Sequence, residues 1–222
     1  EPAEAFRVNA EGARNAADAA AAAGAVLVHI STDYVFDGEK AGGMAYTEED
    51  RTGPLSAYGR SKLTAEGYVK SSGCRYAIIR SSWMFGPGGK NFVDSVIEAS
   101  QKCGKVRAIS EKYGGPTYTA DLAGAIRALV GKMAAGGAKP GIYNISNSGV
   151  CSRYQFAKEI LDLCGITAEV VPITAKEAGG TAIRPRMTEL DNSKIEGVLG
   201  YKLRHYTEAF KEYIMRKRGN KV

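Results

Sequence analysis

A chain of 222 residues, 44% hydrophobic and 24% charged, is long enough to bury a sizeable core and has the composition of an ordinary globular protein. Its net charge of +6 gathers between Lys211 and Lys221, where Arg216, Lys217 and Arg218 close a predicted helix and suit its dipole. With no basic stripe interleaved with aromatics, nucleic acid is excluded as a partner.

Residues 2–23 read as an alanine-rich helix stopped by Gly24. The apolar tract from Ala16 to Ile30 is interrupted by Asp18 and Gly24, which excludes a membrane span. A strand over 25–31 ends in Ser31-Thr32-Asp33, the pattern of a buried parallel strand that stops at a functional edge. A long connection with turn signals at Asp37-Gly38 and Gly42-Gly43 leads to a helix over 56–72, ended by Gly73. Next come a strand over 74–80, a helix over 91–102, a short strand near 106–109, a helix over 119–135 and a strand over 141–146. Ser152 and Gln155 form a capping box opening a helix to Cys164; Thr174 and Glu177 form another for a shorter helix. A last helix runs from about Tyr206 to Arg218. This alternation predicts an α/β fold, Rossmann-like and doubly wound, with a mostly parallel sheet. Cys74, Cys103, Cys151 and Cys164 have no CxxC spacing and no nearby histidine; neither a disulfide framework nor a metal site is expected, and a reducing, cytoplasmic setting fits.

The helix over 56–72 carries Tyr58 and Lys62, four apart and so on one face, one turn from each other. A lysine ammonium beside a phenol favours the phenolate and lowers a pKa that starts near ~10. Thr32, at the end of its strand, can supply a third hydrogen bond to the same reacting oxygen. The three side chains make a device for moving a proton to or from a carbonyl or carbinol oxygen. The pentad alone also fits a solvated helix face; the flanking strands, whose carboxyl ends deliver polar residues to one edge, favour the site.

HISTDYVFDG, PLSAYGRSKLTAE, IIRSSWMFGPGGKNF and IRPRMTELDNSK together resemble the extended short-chain dehydrogenase/reductase family, and within it the branch acting on dTDP-linked 4-keto sugars. The similarity covers essentially the whole chain. It implies reduction of the C4 keto group of dTDP-4-dehydro-L-rhamnose to dTDP-L-rhamnose with NADPH or NADH as cofactor. By the same resemblance Tyr58 is the proton donor, Lys62 depresses its pKa and binds the nicotinamide ribose, and Thr32 holds the carbonyl oxygen. Asp33 touches the sugar and Trp83 packs against it; a core aromatic is the other reading of Trp83. Ser31, Ser81 and Ser82 line the cofactor pocket. Asn91 either contacts substrate or caps the next helix, and Arg184 is either a clamp for the nucleotide diphosphate or a plain surface arginine.

The family opens with a strand, a Gly-rich turn and a helix that hold the cofactor pyrophosphate. No Gly-rich turn precedes Thr32 here; Gly86, Gly88 and Gly89 follow the Tyr58 helix. The expectation is therefore a Rossmann-like sheet without its first βα units, exposing an open parallel edge and an uncovered apolar face and binding NAD(P)H poorly by itself. A longer natural chain or a second polypeptide would then supply the missing half; a homodimer is the other expected partner. The nucleotide-binding remainder is assigned to 1–80 and 118–147, and a smaller substrate-binding α/β region to 81–117 and 148–222. Two alternatives stand beside the reductase: a nucleotide-sugar epimerase or dehydratase of the same family, and a non-catalytic reductase-like regulatory subunit. The tract IRPRMTELDNSK favours the reductase, and the intact Thr32, Tyr58 and Lys62 set weighs against a non-catalytic role.

Overall fold

The computed structural model describes residues 2–40, 44–180 and 182–219. The turn expected at Gly42-Gly43 lies outside them. Helix α1 (Pro2–Phe6) runs through a π-helical stretch, Arg7–Glu11, into α2 (Gly12–Ala22). Within the wide turn the Asn9 amide donates to Ser61 Oγ at 3.0 Å, pinning this segment to the helix that carries Tyr58. Gly24 takes the left-handed conformation expected just past a helix end (φ 62°). Strand β1 (Val26–Thr32) follows, then a 3₁₀ turn over Asp33–Val35 and helix α3 (Ala57–Ser71). Ser56 caps α3 by accepting from the Gly59 amide at 3.0 Å.

The chain continues through β2 (Arg75–Ser81), β3 (Met84–Phe85), α4 (Phe92–Cys103), β4 (Lys105–Ile109), β5 (Tyr113–Gly114), β6 (Thr117–Tyr118) and α5 (Thr119–Ala134). It closes with β7 (Gly141–Asn144), β8 (Cys151–Ser152), α6 (Arg153–Cys164), β9 (Glu169–Ile173), α7 (Ser193–Leu199) and α8 (Tyr206–Gly219). The central sheet is parallel throughout, in the order β1–β2–β7. Its register sets Thr32 opposite Ser81, and Arg80 opposite both Ser31 and Asn144. Among the described residues β1 is paired on one side only.

Both faces of that sheet are covered, as a doubly wound fold requires, so the uncovered apolar face expected from the sequence is not there: its own helices reach both sides. On one face Ala13 and Ala17 of α2 and Ala65 and Val69 of α3 pack on Ile78. On the other, Leu122, Leu129 and Met133 of α5 and Ile195 and Leu199 of α7 pack on Ala77, Ile79 and Tyr143. Alanines on α2 let its axis approach the sheet closely. The fold is Rossmann-like α/β, as expected from the alternation. A second core gathers α4, α6 and α8 around Phe85, where the Phe156 and Phe210 rings meet edge to face at 5.4 Å between centroids. The parallel pair β4–β9 lies against it.

Three local differences from the sequence reading have physical causes. Strand β9 is absent from it because Pro172 breaks the β pattern; β9 has β4 as its partner on one side, and an outer strand tolerates a proline. Thr174 and Glu177 do form the reciprocal bonds of a capping box, but Gly179 turns left-handed (φ 70°) and the segment is a single turn, not a helix. Helix α7, only seven residues long, gave no clear period, and within 148–222 it packs against the central sheet. No described helix is long and apolar enough to cross a membrane.

Candidate active site

Strand β1 delivers Thr32, 94% shielded from solvent, to the carboxyl edge of the central sheet (relative exposure 6%). Its Oγ1 accepts from the Tyr34 amide at 3.2 Å and donates to Asp33 Oδ1 at 3.0 Å, which fixes the 3₁₀ turn that follows. Helix α3 brings Tyr58 to the same place. Gly59 is required beside it: a Cβ there would lie 2.3 Å from the Tyr34 carbonyl oxygen, so no larger residue lets α3 come this close to the turn. The Tyr34 and Tyr58 rings meet edge to face at 6.2 Å.

Burial pushes the Tyr58 pKa above its ordinary value; the hydrogen bond to Thr32 pulls it back in part, and the Asp33 charge raises it. Lys62 is not among the groups that shift it. The Lys62 ammonium instead donates to the Ile30 carbonyl of β1. There burial lowers the Lys62 pKa while Glu66 raises it, and Lys62 itself helps burial drive neighbouring His29 down to about 4. Thr32 is thus close enough to influence Tyr58, while Lys62 sits one turn along, seated on the strand.

Asp33 lies behind this pair. Its other oxygen accepts from Thr188 at 2.6 Å, and burial, outweighing both threonine bonds, pushes its pKa from 3.8 up to about 6. A carboxyl whose pKa rises on folding contributes stability that is complete below its unfolded value and is lost as pH climbs through the folded one. Asp33→Asn is therefore expected to gain stability relative to the unsubstituted chain between about pH 4 and about pH 7. Urea unfolding at both ends of that window checks this; an equal difference at both would contradict it.

The remaining residues expected at the site divide clearly. Trp83 is the single non-glycine among the described residues with positive φ (39°), a strained backbone of the kind held at functional positions. Its indole lies against Gly114, where a Cβ would approach Cε2 to 2.7 Å, and the guanidinium of Arg153 lies 3.7 Å from its ring centroid. Arg184 and Tyr58 line one open cleft of about 580 Å³ with Tyr34 and Ile183. Ser81 ends β2 beside Thr32 with its buried Oγ unpartnered. Ser31 and Ser82 face inward instead. Ser31 donates to Glu66 at 2.6 Å and Ser82 to the Gly115 carbonyl at 2.6 Å, so both hydroxyls are occupied inside the fold. Asn91 is apart from the Thr32–Tyr58 pair and caps α4, accepting from Val93 while Asp94 bonds back to its amide.

Sequence reasoning passed over three groups. Glu66 stands one turn beyond Lys62 on α3, fully buried, and forms a bidentate pair with buried Arg80 (Nη2–Oε2 2.7 Å, Nε–Oε1 3.0 Å). Arg80 also donates to the Glu48 carbonyl and lies 5.0 Å from the Phe36 ring, tying the long connection to the sheet. The four-residue spacing of Tyr58, Lys62 and Glu66 was a readable signal. Thr188 and Arg153 carried none: one lies in an irregular tract, the other behind a helix cap.

The chain is similar to several known proteins. The family model described as the RmlD substrate binding domain matches residues 1–218. The spore coat polysaccharide biosynthesis protein SpsK of Bacillus subtilis is 38% identical over 211 residues, covering 95% of this chain and 71% of that protein. A dTDP-4-dehydrorhamnose reductase of Streptomyces griseus is 40% identical over 215 residues, 96% of this chain and 70% of its own length. The crystal structure of dTDP-4-dehydrorhamnose reductase from Bacillus anthracis in complex with NADP superposes with a TM-score of 0.89 at 33% identity, covering 97% of this chain and 74% of that one. By the extent of the family match and the identity to these relatives, the chain belongs to the RmlD substrate binding domain family.

Proposed function

We propose that this chain works as an NAD(P)H-dependent dTDP-4-dehydrorhamnose reductase, converting the C4 keto group of dTDP-4-dehydro-L-rhamnose to the alcohol of dTDP-L-rhamnose. The observation that carries the reading is the placement of Thr32, Ser81 with its unpartnered hydroxyl, and the Tyr58 helix together at the carboxyl ends of parallel strands, where α/β folds bind ligands. The names of the relatives from Streptomyces griseus and Bacillus anthracis support the substrate.

Tyr58 suits a general acid. With its pKa held above the ordinary tyrosine value it stays protonated at neutral pH and has a proton to give. Thr32, beside Tyr58, steadies the same oxygen by turning its hydroxyl from Asp33 to the substrate. As the phenol gives up its proton, Lys62 one turn along α3 is the cation available to the phenolate. Asp33, kept in place by Thr32 and Thr188, closes the site behind the sugar.

The residues present fit the nicotinamide end of the cofactor. Ser81 offers an unpartnered buried hydroxyl beside Thr32, and Lys62 lies along the neighbouring strand; with Tyr58 they would hold that end. NAD(P)H held there would supply the hydride.

The test is net oxidation of reduced nicotinamide with dTDP-4-dehydrorhamnose, measured on the chain in its full natural length. One cofactor oxidised per sugar reduced is the expected result. Sugar turnover without net oxidation would instead assign an epimerase or dehydratase, and no turnover at all a non-catalytic binding role.

A further inference from the structure

Glu66 is fully buried on α3, two turns beyond Tyr58 and one beyond Lys62. Its Oε1 accepts from Ser31 Oγ at 2.6 Å and from Arg80 Nε at 3.0 Å, and its Oε2 accepts from Arg80 Nη2 at 2.7 Å. Ser31 and Arg80 are register partners in the parallel pair β1–β2. Each immediately precedes a hydroxyl of the candidate site, Thr32 on β1 and Ser81 on β2. One carboxylate thus holds both strands one residue before they deliver those hydroxyls. One turn nearer Tyr58, Lys62 reaches the same end of β1 by donating to the Ile30 carbonyl. The third nitrogen of Arg80 donates to the Glu48 carbonyl, and its guanidinium lies on buried Phe36, so the fork is itself held in place.

Stability alone does not call for these charges, because apolar side chains of similar volume often serve a buried position as well as an ion pair does. What the pair adds is direction. A bidentate fork fixes the carboxylate in one place and one orientation, whereas apolar packing lets α3 slide along the strands. Glu66 also acts on Lys62 through its charge: burial lowers the Lys62 pKa, and Glu66 opposes that. We propose that Glu66 is a positioning residue of the reaction, setting Tyr58 and Lys62 against the strand ends that carry Thr32 and Ser81 through its fork with Arg80 and its bond from Ser31. The assignment rests on the reductase reading above. The helix is fixed at Glu66, so Tyr58 arrives at one height over the strands. A misplacement of about 1 Å in a reacting site costs about a hundredfold in rate.

The experiment uses the protein in its full natural length and compares it with Arg80→Met, with the double variant Glu66→Met/Arg80→Met, and with Arg80→Lys. Tm is read beside kcat and KM for dTDP-4-dehydrorhamnose with reduced nicotinamide. The double variant is expected to recover most of the Tm that Arg80→Met loses. Its kcat is expected to stay about tenfold to a hundredfold below the unsubstituted protein, with KM for the sugar within about threefold. A crystal structure of the double variant is expected to show α3 displaced along β1 and the Lys62 bond to the Ile30 carbonyl broken. A kcat that returns together with the Tm overturns the proposal and leaves the pair a purely structural role. An unmoved α3 with the Lys62 bond intact overturns it equally. Arg80→Lys keeps the charge without the fork and carries the test if the double variant does not fold. There kcat is expected to fall about tenfold, and a kcat equal to that of the unsubstituted protein overturns the proposal. Each of these results leaves the reductase reading intact. No turnover by the unsubstituted protein removes that reading, and this assignment with it.

Discussion

Tyr58→Phe is expected to lower turnover about 10²- to 10⁴-fold, the span that positioned proton transfer contributes. The substitution removes one oxygen and little else. Tyr58 is 46% exposed, and its ring keeps the edge-to-face contact with Tyr34. The cap of α3 rests on Ser56 and the close approach on Gly59, so the helix stays where it is. A stopped-flow or steady-state assay beside a thermal melt separates the two effects. The expected pattern is a collapsed kcat with an unchanged Tm. A variant retaining more than about a tenth of the activity would remove Tyr58 from the role of acid.

Arg80→Met is expected to destabilise the fold by about 3–5 kcal/mol, because it leaves the carboxylate of Glu66 buried without its cation. For a chain of this size the corresponding fall in Tm is on the order of 10 °C. The cost is not that of one lost contact. Glu66 would keep only the Ser31 hydroxyl, and the Glu48 carbonyl would lose its donor, loosening both α3 and the long connection from the sheet. Adding Glu66→Met to the same chain removes the stranded charge and is expected to recover much of the loss. Denaturant melts of the single and double variants decide. If the single variant melts within about 2 °C of the unsubstituted chain, the pair is not holding α3 to the sheet.

The fold was largely legible because its elements have strong local signals: glycines at helix ends, capping boxes at Asn91 and Ser152, and continuous apolar strands. What escaped depends on partners far along the chain. β9 exists because β4 lies beside it, and α7 because Ile195 finds the underside of the central sheet. At the site, residue types and spacing pointed to Thr32 and Tyr58, and the fold sets Thr32 where it influences Tyr58. Spacing could not say where side chains turn. Lys62 bends to the Ile30 carbonyl, Ser31 to Glu66 and Ser82 to Gly115, since in each case a backbone oxygen or carboxylate needed a donor. Nor does a linear pattern reveal that Arg153 comes to rest on Trp83, 70 residues away in sequence.

The most direct measurement is a crystal structure of the chain, in its full natural length, with dTDP-L-rhamnose. The expected result places the C4 hydroxyl within about 2.6–3.2 Å of both Tyr58 Oη and Thr32 Oγ1. A sugar bound with C4 turned away from both hydroxyls would contradict the account.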